Sequence, residues 1–85
     1  MATTEEFNQA IDVLTVFHNG AIRPVKIKWA GRTHTIHHIA YQWITRDGTH
    51  QVRHYAAALD SGSLCEIELH THTMRWTLRK VQMDG

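Results

Sequence analysis

Histidine is the side chain most able to do chemistry in this sequence. There are eight in 85 residues. His34, His37 and His38 lie within five positions, and His70-Thr71-His72 sets two imidazoles on one side of an extended chain. Imidazoles so grouped can hold a divalent metal or exchange protons. The spacing matches no zinc motif, and His72 falls in a turn, so we expect no metal and no cofactor. His34 and His38 face inward in the register derived below. Protonating all eight histidines would move the net charge from +1 to +9, so mild acid would strongly alter any affinity for anions.

Other catalytic chemistry is poorly supplied. Cys65 is the only cysteine, so no internal disulfide forms. It sits at an inward position of an alternating strand, where a thiol is a small packing group rather than a nucleophile. Glu66 and Glu68 share an outward face and have no environment that would separate their acidities. The sequence contains neither a glycine-rich phosphate loop nor a nucleophile elbow. These absences point away from an enzyme.

The charge distribution says more. Residues 1 to 20 hold Glu5, Glu6 and Asp12 with no lysine or arginine, whereas residues 21 to 58 hold Arg23, Lys26, Lys28, Arg32, Arg46 and Arg53 against Asp47 alone. Lys26 and Lys28 project from one face of a strand, with Arg32 at the adjoining turn. We take Arg23, Lys26, Lys28, Arg32 and Arg53 as candidate contacts to nucleic-acid phosphates. Exposed aromatics would add base stacking, but Trp29, Trp43 and Trp76 all fall on expected core faces. A rival reading makes the lysines a guard against edge-to-edge aggregation, and gives the chain a protein partner or a second copy paired along a sheet edge.

The elements that must position these residues are strands. Val25, Ile27 and Trp29 alternate with Lys26 and Lys28. Gly31-Arg32 suits a two-residue turn that pairs Lys28 with Thr35 and Ile27 with Ile36. Beyond Ile36 the apolar phase changes to Ile39, Tyr41 and Trp43, which a bulge at His37-His38 would turn back inward. Asn19-Gly20 marks a hairpin before Pro24, and Pro24 must sit at a sheet edge, a strand start or a bulge. Asp47-Gly48 marks another, which pairs Trp43 with Val52. Ala56-Ala57-Ala58 reads as the end of a fourth strand at a close crossing. In the last hairpin, Cys65, Ile67 and Leu69 face Trp76 and Leu78 across Thr71 to Met74, pairing His70 with Arg75, Leu69 with Trp76, Ile67 with Leu78 and Glu66 with Arg79.

The expected architecture is all-β: a five- to six-stranded antiparallel meander, curled or closed as a small SH3-like barrel. Residues 1 to 10 are a tail or a short helix opened by a Thr3 and Glu6 capping box, and residues 11 to 83 form a single domain. No apolar run is long enough for a membrane-spanning helix, and the acidic start is unlike a secretory signal, so the expected location is the cytoplasm.

Asn19-Gly20, the run from Arg23 through Trp29-Ala30-Gly31-Arg32, Ile36, Glu66 to Leu69, and Arg75-Trp76-Thr77-Leu78 with Val81 resemble a small bacterial all-β family catalogued as a domain of unknown function. Some of its members stand alone and some are appended to proteins resembling Y-family DNA polymerases. The resemblance spans about residues 13 to 82. It implies a link to DNA metabolism and carries no catalytic residues.

Overall fold

The computed structural model describes residues 2–84 and the side chains of residues 3–83. Six strands follow one another: β1 (Ala2–His18), β2 (Ala21–Trp29), β3 (Arg32–Asp47), β4 (His50–Leu59), β5 (Leu64–His70) and β6 (Arg75–Asp84). Each pairs antiparallel with the next, and β1 also pairs with β6, so the sheet closes into a ring. Among the described residues there is no helix. The expected tail or helix at the amino terminus is instead the first part of β1, with Thr3 opposite Met83 and Glu6 opposite Lys80. A capping box needs an apolar helical stripe behind it, and Phe7 and Ile11 alone do not supply one. Pairing with β6 satisfies the same backbone and covers the core.

Two long strands allow closure. β1 pairs with β6 as far as Ile11 and with β2 from Asp12 onward. β3 pairs with β2 over Arg32–Thr35 and with β4 from Ile36 onward. Bulges supply the bending between these partners. The one expected at His37 is present, and a second falls at Ala40. Another, at Val25 of β2, leaves Pro24 opposite Thr15 and outside the β3 ladder, which resolves where a residue without an N–H can sit. Around Arg79, both neighbours of β6 change register.

The second bulge in β3 overturns an expectation. It inverts the phase of everything after Ala40, so Tyr41 and Trp43 point out of the ring while Gln42 and Ile44 point in. Tyr41 is 58% exposed, and Trp43 lies opposite His54 on the outer surface. Two registers also differ by two residues from those expected. The β2–β3 turn is Ala30-Gly31, both at positive φ, so Ile27 faces His34 and Lys28 faces Thr33. The β3–β4 turn is Gly48-Thr49, so Trp43 faces His54 and Thr45 faces Val52. A two-residue shift keeps each side chain on its face, which is why the alternation could not decide between them.

The last hairpin has the expected pairs at His70, Leu69 and Ile67. Glu66 meets Lys80 rather than Arg79, because Arg79 is the bulged residue. The interior holds Ile27, Tyr55, Ala57, Leu59, Cys65, Ile67, Leu69, Trp76, Leu78 and Val81. The Tyr55 hydroxyl donates to the Ile22 carbonyl at 3.3 Å, tying the start of β2 to the far wall. Ala56 and Ala57 are both fully buried although they face opposite sides of β4.

Candidate anion-binding face

β2 places its charges by burying what lies between them. Ile27 is fully buried and Pro24 faces the interior. Trp29 packs edge-on against Phe7 with ring centroids 5.4 Å apart. Lys26 and Lys28 are thereby forced outward, two residues or about 6.7 Å apart along the strand. Arg23 would point inward in a regular strand. The bulge at Val25 reverses its phase, and it stands outward opposite Val16. Arg23, Lys26 and Lys28 therefore form one exposed row. Leu14 and Val16 of β1 flank it on one side, and Thr33 and Thr35 of β3 flank it on the other.

None of the three forms an ion pair among the described residues, and neither does Arg32. Asp12 stands across from Lys28 but does not reach it. Arg32 is exposed at the exit of the Ala30-Gly31 turn, on the Trp29 side of the strand, beside the row rather than in it. Arg53 leaves the site altogether. It lies between Ile44 and Leu69 on the inward face of β4, and its Nε is buried without a hydrogen-bond partner in the protein. Its charge serves the interior: burial pushes the Tyr55 hydroxyl pKa up, and Arg53 beside it acts in the opposite sense.

The outer surface of β3, β4, β5 and β6 is a different sector of the wall. There Trp43 stacks on His54 with centroids 5.0 Å apart and planes 3° from parallel, and Tyr41 stacks on Trp43 at 5.3 Å. Glu68 gathers two histidines and an arginine: His54 at 3.6 Å and Arg79 at 3.6 Å on one carboxylate oxygen, and His70 at 3.4 Å on the other. Thr45 hydrogen-bonds His54 at 2.7 Å, and Arg79 donates to Asn8 at 3.0 Å. Here the positive charges of Arg79 and Lys80 are matched by Glu68 and Glu66. Sequence reasoning missed this cluster because the Ala40 bulge that turns Trp43 to the outer face leaves no mark in the alternation.

No group of three or more His, Cys, Asp or Glu side chains suited to a metal occurs among the described residues. His54 and His70 sit against opposite oxygens of one carboxylate. His72 stacks on His50 with centroids 3.9 Å apart, away from His70. His34 is half-buried beside Trp29, as an inward position requires, whereas His38 is exposed on the outer face against expectation.

The Cys65 thiol is buried and its pKa is pushed up to about 12, by burial first and then by the charge of Glu66. Such a thiol is protonated at any physiological pH and does not act as a nucleophile. No helix of the described residues is long and apolar enough to cross a membrane. No family model matches this chain, and comparison with curated proteins and with solved structures likewise found no match.

Proposed function

We propose that this protein is a non-enzymatic binding module that holds a nucleic-acid backbone against the outward face of β2. The observation that carries the reading is the row of Arg23, Lys26 and Lys28, three cations on one exposed strand face with no carboxylate bound to them. Lysines about 6.7 Å apart match the spacing of adjacent phosphates along one nucleic-acid strand. Thr33 and Thr35 alongside add hydroxyls suited to phosphate oxygens. No aromatic ring of the Tyr41 and Trp43 stack borders the row, so the contact reads backbone charge and not base identity. An accessory role in DNA metabolism in the cytoplasm follows from the family resemblance and suits a lone reduced thiol.

Fluorescence anisotropy with labelled single-stranded and duplex DNA across a salt series tests this reading. Three phosphate contacts give a slope of log affinity against log salt of about −2 for single strands and about −3 for duplex. Lys26→Ala combined with Lys28→Ala should reduce that slope to about −1, and Arg32→Ala should change it less. Salt-independent binding, or binding indifferent to the double substitution, would reject the proposal. A second reading, a protein-interaction module, is favoured by one observation: the side of β1 left open beyond Ile11.

A further inference from the structure

We propose that this open edge of β1 pairs with itself, so that two copies of the chain join antiparallel across a two-fold axis at Thr15. The ladder to β6 ends where Ile11 meets Trp76. From Val13 to Phe17, β1 has β2 on one side and, among the described residues, no strand on the other. Edges of natural sheets are usually blunted by lysine, proline or a bulge. This one has none of these: the irregularity between β1 and β2 lies at Val25, on the far strand. Leu14, Val16 and Phe17 are instead 59%, 37% and 61% exposed.

The backbone phase fixes which groups await a partner. The two-residue Asn19-Gly20 turn makes His18 and Ala21 a hydrogen-bonded pair, and Val16 with Arg23 is the next one. The main-chain groups of Val13, Thr15 and Phe17 therefore point to the open side, where the Val13 carbonyl already accepts one bond from the Thr15 hydroxyl at 3.2 Å and keeps a lone pair for another. A two-fold axis at Thr15 sets Thr15 against Thr15, and Val13 of each copy against Phe17 of the other. All three outward N–H groups and all three outward C=O groups of each copy are then satisfied, in six new bonds. Moving the register by one residue faces outward groups against inward ones. Moving it by two sets Val13 against Asn19 in the turn, or Phe17 against Ile11, whose side is already taken by β6.

The side chains in that register favour a second copy over an unrelated peptide. Leu14 falls opposite Val16, and Val13 opposite Phe17, so apolar meets apolar on either side of the Thr15 pair. Asp12 falls opposite His18, acid against imidazole. Beside the edge lies a groove of about 620 Å³ whose walls include Ile11, Val13, Met74 and Trp76, and Phe17 of the incoming strand enters it. The joined sheet would carry the two β2 rows on one face, three strand spacings or about 14 Å apart. The pairing stands whether or not that face binds nucleic acid.

Sedimentation velocity on the full chain over a concentration series, without nucleic acid, tests the pairing. A dimer is expected. Thr15→Pro removes one outward N–H and leaves the bonds to β2 in place, and Val16→Glu puts a charge opposite Leu14 while keeping Arg23 as its cross-strand neighbour. Each should raise the dimer dissociation constant at least tenfold, with an unchanged circular dichroism spectrum. Thr15→Cys should form an intermolecular disulfide on mild oxidation, since hydrogen-bonded pairs hold Cα atoms about 5.5 Å apart. Cys65 is buried and does not compete. A monomer at millimolar concentration would overturn the inference, as would a dimer that survives both of the first two substitutions while the Thr15→Cys variant fails to cross-link.

Discussion

Cys65 makes a pH dependence from a packing residue. Its thiol ionises near 9.0 when unfolded and at about 12 in the ring. A folded pKa above the unfolded one means that this contribution is complete below 9 and is lost as pH rises toward 12. In that window the native state holds a proton that the unfolded state has released, so stability falls by about 1.4 kcal/mol per pH unit. Tyr55, raised by burial from 10.0, adds to the loss in the same direction. Urea midpoints measured across this range should decline steadily, and Cys65→Ala should flatten the part between about 9 and 10, where the thiol alone has begun to ionise in the unfolded chain. Ala30 offers a second residue-scale test. It occupies the left-handed region at φ 54 ahead of Gly31 at φ 75, in a turn that favours Asn-Gly. An L-residue other than Asn or Asp is strained there, and only achiral Gly adopts it freely. Ala30→Asn should raise stability by about 0.5–1 kcal/mol, seen as a melting temperature several degrees higher.

Between elements, the contacts that matter cross strands, and two carboxylates on β5 separate strong from weak. Glu66 meets one flexible lysine at 3.7 Å, the kind of exposed pair worth about 0.5 kcal/mol. Glu68 lies more deeply, and it joins β4 to β6 through His54 and Arg79. Glu68→Ala should therefore cost about 1–2 kcal/mol, at least twice as much as Glu66→Ala, because it strands several polar groups together. Chemical denaturation of both variants checks the ratio. The same comparison shows what alternation does and does not encode. Leu69 against Trp76 and Ile67 against Leu78 were legible because a one-residue slip would turn every apolar side chain outward. The β2–β3 and β3–β4 registers were not, since a two-residue shift leaves each face unchanged and only turn geometry distinguishes the choices. Lys26 and Lys28 were legible as a pair for the first reason. Arg53 was not, because an arginine among Ile44, Leu69 and Tyr55 looks in sequence like any outward cation.

At the scale of the whole molecule, closure depends on the stretch whose sequence says least. Thr3-Thr4-Glu5-Glu6 reads as solvent-facing, yet it supplies the rungs opposite Met83, Gln82, Val81 and Lys80. Without it, β6 becomes an open edge, and Trp76, Leu78 and Val81, all within 8% exposure, lose cover. A frayed tail could be removed at no cost. A closing strand could not: uncovering even part of three large side chains, at about 1.5–3 kcal/mol for each one fully exposed, is a sizeable share of the roughly 5–10 kcal/mol that holds a domain of this size. These rungs also join the two ends of the chain, so their loop entropy must be overcome before they contribute, and folding should be limited by this late step. Deleting residues 2–10 should lower the urea midpoint sharply and quench the cooperative Trp76 fluorescence transition. Glu5→Pro, which interrupts the same ladder at one rung, should act in the same direction more mildly. Wild-type stability in the deletion would mean that the ring is held without the first part of β1, and that the core is closed by some other contact.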